Sequence, residues 1–334
     1  MTFLAAVAAF TLPGLLYPVL YSKQLGSQPV QVYFAGNVLA LYRDSHDKVV
    51  AHTDICPHQG ASFSKAGHVT AQDELVCGYH GFKFCKGRFL GLATPNNKPG
   101  YQMPLWDTTE KDGVIYMKLL GTCVSQNPCP QVPEATDAAF SRVTGCRDIL
   151  QNHQCVTENV LDMMHVSYVH RTFGNRASPL PINLKYESLG EYAGRSTFTY
   201  RPNPGSLASF LGSPFPEVLV ENEFYLPSTT VTRVITGKYV KTVVTRALPQ
   251  ENGSTKLFFE VHRNFACDSW GIGDAIMAHL MERTLDEDVQ ILQNVDPNHR
   301  EGPIGVKYDV TIRKYRQAIN SWMHRTLLDH KSAD

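Results

Sequence analysis

The chain has 334 residues, 43% of them hydrophobic and 19% charged, with Lys plus Arg and Asp plus Glu both at 31. That is enough chain for two domains with separate cores, and a net charge of zero supplies no field to draw nucleic acid or an anionic membrane. Eight cysteines are too few for a disulfide scaffold at this size, so the expectation is a reducing compartment, cytoplasmic or, as the alternative, organellar.

Phe3 to Leu20 is apolar and uncharged, but it contains Pro13, Gly14 and Pro18 and has no basic lead. It reads as neither a secretory signal nor an unbroken span. The expectation is a lead-in packed on the first domain, with a peripheral membrane contact as the alternative. Short strand patterns follow at Gln31–Phe34, Val38–Tyr42, Val49–His52, Glu74–Val76 and Gly113–Met117, separated by turn formers such as Ala35-Gly36-Asn37 and Pro95-Asn96-Asn97. Ser125 to Ala138, with Pro128, Pro130 and Pro133, reads as a linker.

Beyond it the pattern predicts a helical run from Asn152 to His170. Strands follow near Ser196–Tyr200, Val218–Tyr225, Thr230–Ile235, Val240–Arg246 and Lys256–His262, then a helix over Ile272–Val295. A last amphipathic helix near Val310–Leu328 has Tyr315, Ile319 and Trp322 on one stripe. The fold class is therefore α+β. An antiparallel β domain over 15–125 is followed by a second domain over 139–334, in which an antiparallel sheet carries helices.

Two cysteine/histidine pairs fall between strands of the first domain: Cys56-Pro-His58-Gln-Gly60 and Cys77-Gly-Tyr-His80-Gly81, with eighteen residues between His58 and Cys77. Two thiolates and two imidazoles so spaced match a [2Fe-2S] centre with cysteines on one iron and histidines on the other. Cys2His2 zinc is the alternative, but zinc usually braces domains too small to fold alone, and this pair sits within about a hundred residues of patterned strand. Cys85, Cys123, Cys129, Cys146, Cys155 and Cys267 have no matching motif and read as small buried hydrophobes.

In the second domain Asn159, Asp162, His165 and His170 lie within one helical window, and Asp162 and His165 at i, i+3 share a face. His165 and His170 are five apart, which on a regular helix turns the second about 140° from the first, so both reach one ion only across an irregular turn. Two histidines and a carboxylate form the face that leaves open positions on non-haem Fe(II). In the later helix Met281, Leu285, Leu292 and Val295 form an apolar stripe, and Asp288 occupies a slot within it. A buried carboxylate there needs a cation. Asp286 and Glu287 are expected to point to solvent.

The two loops, the Asn-x-x-Asp-x-x-His-x4-His run and Glu287-Asp288-x-x-Ile-Leu stand in the order found in the oxygenase component of Rieske non-haem iron oxygenases. The chain resembles the branch that includes vanillate and dicamba O-demethylases and pheophorbide a oxygenase, over most of its length. It departs from many relatives at Gln59 and Gly78, where Arg and Pro are frequent. The resemblance implies a β-sandwich-like Rieske domain, a helix-grip catalytic domain and a head-to-tail ring of three subunits.

It further implies Cys56 and Cys77 on the inner iron, His58 and His80 on the outer one, and a mononuclear Fe(II) held by His165, His170 and Asp288. Asp162 is expected to accept a hydrogen bond from His80 across a subunit interface while orienting His165. The reaction implied is use of O2 to hydroxylate, or demethylate, a small organic substrate. No dinucleotide or flavin fingerprint occurs, so NAD(P)H acts only through a separate ferredoxin or reductase. The rival readings are an electron-transfer protein with no chemistry of its own, and a zinc-bearing binding module.

Overall fold

A computed structural model describes residues 12, 14–91, 101–118, 130, 132–171, 174–201, 203, 217–296 and 302–331. The chain divides into two compact units, Met1–Val124 and Ser125–Asp334.

The first unit is built from short antiparallel strands: β1 Leu16–Tyr21, β2 Val30–Phe34, β3 Asn37–Arg43, β4 Val49–Thr53, β5 His68–Val69, β6 Leu75–Val76, β7 Lys83–Cys85, β8 Arg88–Gly91, β9 Thr108–Lys111 and β10 Val114–Lys118. They form three sheets, β1-β10-β9, β2-β3-β4 and β5-β6-β7-β8. A single helical turn, α1 Phe63–Ala66, starts at Ser62, whose Oγ accepts from Lys65 N. The start of the apolar lead-in lies outside the described residues. Of its described residues Leu12, Leu15, Tyr17 and Val19 are buried, and Leu12 N donates to Tyr17 Oη at 2.8 Å. The turn at Pro95–Asn97 also lies outside the described residues, as do Cys123 and Cys129.

The second unit is one seven-stranded antiparallel sheet with helices. Its strands are β11 Ser141–Ile149, β12 Ile182–Gly190, β13 Ala193–Tyr200, β14 Val218–Tyr225, β15 Thr229–Thr236, β16 Tyr239–Pro249 and β17 Thr255–Arg263. Their order is β11-β17-β16-β15-β14-β13-β12. The helices are α2 His153–Leu161, α3 Val166–Val169, α4 Ile272–Leu292 and α5 Val310–Lys331. The sequence pattern found the five inner strands and missed β11 and β12, the two edges. Part of the expected linker belongs to this unit: Glu134 Oε1 accepts from Arg233 Nε at 2.7 Å and from Thr242 Oγ1 at 2.8 Å.

Helix α4 lies on the sheet through Met277, Leu285 and Leu292, packed with Val156, Leu257, Phe259 and Val261. Each such side chain withdrawn from water stabilises the fold by roughly 1.5–3 kcal/mol. Its N-terminus is capped by Asp268, whose carboxylate accepts from the backbone N–H of Trp270, Ile272 and Gly273. Its C-terminal end is tied to the start of α2: Gln151 Nε2 donates to Leu292 O at 2.9 Å and to Val295 O at 2.8 Å. On α2, Glu158 takes a two-pronged ion pair from Arg316 of α5, at 2.9 and 2.8 Å. These ties hold the start of α2 at the end of α4 and its later half against α5. The four described cysteines outside the cluster loops are free thiols; Cys155 is buried as expected and Cys85 half-buried, whereas Cys146 and Cys267 are exposed, so burial does not account for those two.

Candidate metal centres

The two cysteine/histidine loops of the first unit have the same backbone design. Cys56 N donates to Ala61 O and Gly60 N returns to Cys56 O; Cys77 N donates to Phe82 O and Gly81 N returns to Cys77 O. Closing each turn needs a positive φ, +77° at Gly60 and +69° at Gly81, which glycine adopts without a Cβ clash. Behind the first loop Asp54, 1% exposed, accepts from Gln31 Nε2, Ser62 Oγ, Ser64 N and Ser64 Oγ.

The thiols of Cys56 and Cys77 are buried, whereas His58 and His80 are exposed. Burial and the adjacent Cys77 thiol push the Cys56 thiol up, against the backbone N–H groups of His58 and Gln59, which favour thiolate. The two imidazoles meet edge to face with their Nδ1 atoms 3.2 Å apart, and Phe82 stacks on His58 at 4.3 Å between ring centres. Two facing ring nitrogens need a shared proton or a cation between them.

Gly78 explains one departure from many relatives. A Cβ there would lie 1.6 Å from Ala66 O at the end of α1, so neither Ala nor Pro fits this loop while α1 stays where it is.

In the second unit the helical run breaks earlier than expected. Helix α2 ends at Leu161, and Asp162 takes an extended conformation, φ −72° and ψ 116°. Its Oδ1 then accepts from Met164 N at 2.7 Å and His165 N at 3.3 Å, so one carboxylate ends the first helix and starts the next turn. Asp162 and His165 therefore do not share a helix face. Contact is made instead by the Asp162 carbonyl, which accepts from His165 Nδ1 at 2.7 Å. His170 terminates the short α3. The irregular turns stand at both ends of α3, and they swing the two imidazoles together.

His165 Nε2 and His170 Nε2 are 3.2 Å apart, and each is 3.5 Å from Asp288 Oδ1. A point equidistant from the three atoms lies about 2 Å from each, an ordinary bond length from a first-row metal to nitrogen or oxygen. Asp288 is 7% exposed, and its Oδ1 accepts no hydrogen bond of ordinary geometry among the described residues. A buried carboxylate oxygen in that position costs several kcal/mol unless a cation answers it. Burial works against charge on both imidazoles. At His165 the Asp288 carboxylate outweighs it and raises the pKa; at His170 burial, joined by neighbouring His165, prevails over Asp288 and Glu287 and lowers it.

Glu287 corrects the expectation of a solvated side chain. Its Oε2 lies 3.1 Å from His170 Nδ1. Helical periodicity turns residue 287 away from the apolar stripe; His170 meets it because the chain has left α3 by that point. Asn159 is half-buried one turn before Asp162, and its carbonyl accepts from Asp162 N at 3.2 Å.

Among the described residues, a group of three or more such ligand atoms within 4.8 Å of one another occurs at His165, His170 and Asp288. In the first unit two buried thiols stand behind two exposed imidazoles whose Nδ1 atoms face each other, the division of sulfur and nitrogen donors that suits a two-iron centre with cysteines on one iron and histidines on the other.

The His165–His170–Asp288 triad opens on a cavity of about 250 Å³. Sheet residues such as Phe198, Val220, Val234 and Val243 line one side and Met277 and Leu285 of α4 the other. Met277 and Leu280 face the cavity, whereas Ile276 is 56% exposed. Thr232 Oγ1 donates to Asn222 Oδ1 at 3.0 Å and Thr230 Oγ1 pairs with Thr245 Oγ1 at 2.7 Å, so part of the polar lining is already engaged.

Fold and sites define an iron protein of two centres, a cluster-binding β unit followed by a helix-grip unit with a two-histidine, one-carboxylate face. The family comparisons agree. A Rieske [2Fe-2S] domain matches residues 16–104 and a vanillate O-demethylase oxygenase C-terminal domain matches residues 151–325. The chain belongs to this family of Rieske-type oxygenases, and its cofactors are the [2Fe-2S] cluster and non-haem iron.

A vanillate O-demethylase oxygenase subunit of a Pseudomonas species is 29% identical over 136 residues, 40% of each chain. The oxygenase component of dicamba O-demethylase from Stenotrophomonas maltophilia is 28% identical over 163 residues, 46% of each chain. A cholesterol 7-desaturase of Ciona intestinalis is 28% identical over 149 residues, 43% of this chain and 32% of the relative. The chain thus spans less than half the length of these curated relatives. A crystal structure of dicamba monooxygenase bound to dicamba shares the fold, with a TM-score of 0.77 and 20% identity over 96% of this chain and 99% of that one.

Proposed function

We propose that the protein is a terminal oxygenase that uses O2 and externally supplied electrons to hydroxylate, and where the carbon bears an O- or N-alkyl group to demethylate, a small organic substrate. The observation that carries the reading is the convergence of His165 Nε2, His170 Nε2 and Asp288 Oδ1 at the edge of an apolar cavity. A Rieske carrier with no chemistry of its own has no use for a buried carboxylate aimed between two imidazoles.

Cys56, Cys77, His58 and His80 hold the cluster, in a domain spanning 15–125; His165, His170 and Asp288 hold the mononuclear iron, in a catalytic domain spanning 139–334. Bound there, the cluster supplies electrons and the iron activates O2. The remaining work is done by the protein. The Asp162 carbonyl and the Glu287 carboxylate accept hydrogen bonds from Nδ1–H of His165 and His170, holding both rings in the tautomer that presents Nε2. Asn159 supports the turn through which Asp162 acts. The apolar walls exclude water and hold the organic body by shape.

Electrons come from a ferredoxin or NAD(P)H-dependent reductase on another chain. A head-to-tail homotrimer, each cluster serving the iron of a neighbouring subunit, is the assembly we assign. Among the described residues no helix is long and apolar enough to cross a membrane, and we place the protein in the cytoplasm.

The test is a His165→Ala variant assayed with a surrogate reductase for substrate-dependent oxygen uptake. Uptake should vanish while the EPR signal of the reduced cluster persists. Full uptake in that variant would remove the mononuclear assignment.

A further inference from the structure

The break at the end of α2 releases one carbonyl. Were the helix to run on, Val160 O would accept from the N–H of Met164, four residues later. That N–H goes instead to Asp162 Oδ1 at 2.7 Å, and the His165 N–H turns to the same oxygen at 3.3 Å. The carbonyls of Glu158 and Asn159 are both taken by Asp162 N. Val160 O is the next in line, and the helix no longer supplies its donor.

The sheet supplies it. Asn222 lies on β14 in the wall of the cavity and is 3% exposed; its Nδ2 donates to Val160 O at 3.1 Å. Its Oδ1 accepts from Thr232 Oγ1 at 3.0 Å, directly opposite on β15, and that bond fixes which way the amide faces. On the other side of Asn222, Ser196 of β13 bonds through its hydroxyl to Thr311 in the first turn of α5. One cross-strand row thus ties down two helices, α2 through Asn222 and α5 through Ser196.

A carbonyl at a helix end needs a donor. Without Asn222, Val160 O regains one most directly by taking back the Met164 N–H, which prolongs α2 at the expense of the Asp162 turn. In a prolonged helix His165 and His170, five residues apart, point about 140° away from each other around one axis, and their Nε2 atoms no longer meet in front of Asp288. Asp162 and Asn222 therefore act on the two halves of one displaced hydrogen bond: the first occupies its donor, the second its acceptor. With an apolar side chain at position 222 the break rests on Asp162 alone.

We propose that Asn222 is a positioning residue for the mononuclear iron: by holding the Val160 carbonyl it keeps α2 from running past Asp162, and so keeps His165 turned toward His170 and Asp288. The inference rests on the reading of that triad as the iron site, and it extends the site to a sheet residue that touches none of the three ligands through a listed bond of its own side chain.

Chelator competition for the mononuclear iron of the purified protein tests it without turnover, with the cluster followed by EPR and folding by circular dichroism melting. Asn222→Leu keeps the size of the side chain and removes the donor; Asn222→Ala covers the case in which Leu is not accommodated. Both are neutral, so neither alters the charge near the metal. Iron affinity should fall about tenfold or more, the usual loss when a ligand's support is removed, while the cluster signal stays as in wild type. Ser196→Ala removes a buried hydrogen bond from the same row without touching α2, so it should lower the melting temperature and leave iron affinity at the wild-type value. Wild-type affinity in the folded Asn222 variants, or an equal loss in Ser196→Ala, would overturn the assignment. Failure of the oxygenase reading has a different signature: substrate-dependent oxygen uptake that survives His165→Ala, with the affinity differences among these variants still standing.

Discussion

His170 Nδ1 and Glu287 Oε2 lie 3.1 Å apart, which joins the end of α3 to α4 through the same imidazole whose Nε2 faces Asp288. Glu287 also approaches Arg171 N at 3.4 Å. One acidic pair on α4 thus serves the centre twice, Asp288 from the cavity side and Glu287 from behind the ring. Removing such an outer partner usually lowers metal affinity by roughly 10–100-fold. Glu287→Ala should therefore weaken iron binding by about that factor in a chelator competition, whereas Glu287→Gln, which keeps an acceptor oxygen, should lose less. The EPR signal of the cluster should not change. Unaltered iron affinity in Glu287→Ala would reduce Glu287 to a surface group.

Gly78→Ala should damage the cluster loop out of proportion to its size. The added carbon would meet the Ala66 carbonyl at 1.6 Å, so α1 or the loop must shift. Overpacking of this sort costs roughly 1–3 kcal/mol. Lower iron and sulfide content per chain and a reduced melting temperature are the expected outcomes. Gly26, around which nothing lies within 4 Å, is the control.

Acid should weaken the second unit through Glu260. Burial alone would raise this carboxyl, but the hydrogen bond with His262 and the guanidinium groups of Arg246 and Arg142 outweigh it, bringing the pKa from 4.5 down to about 2. The carboxylate accepts from Arg246 Nη1 at 2.6 Å and is 3% exposed. A depressed carboxylate stabilises the fold at pH above its unfolded value, and that contribution is lost as the pH falls from about 4.5 toward 2. The loss is on the order of 3 kcal/mol when complete. Chemical denaturation between pH 5 and 3 should show wild type losing stability with a slope that Glu260→Gln lacks. Parallel slopes in the two proteins would assign the acid sensitivity elsewhere.

The inner strands were legible because β-branched and aromatic residues run through them and every position is buried or half-buried, as in Thr229–Thr236 and Thr255–Arg263. The edges were not. β11 carries Arg142, Arg147 and Asp148 and is interrupted by Gly145, which must be small because a Cβ would lie 2.3 Å from the Phe259 ring. β12 takes a positive φ at Asn183 and shifts register between Ile182 and Lys185. Their place is set by pairing with β17 and β13, which a single strand's own pattern does not encode.

At the centre the same division holds. The residues that converge, His165, His170 and Asp288, and the inward slot of Asp288 were readable from spacing. The break at Asp162, the carbonyl that holds His165 and the approach of Glu287 were not, because each depends on where the chain goes after a helix ends.

Helix α4 runs unbroken from Ile272 to Leu292, with Met277 near one end of the cavity and Asp288 at the other. Cavity wall and carboxylate are therefore carried on one stiff body: a displacement of α4 moves Met277 and Asp288 together, so the cavity cannot change shape along this side without disturbing the geometry at His165 and His170.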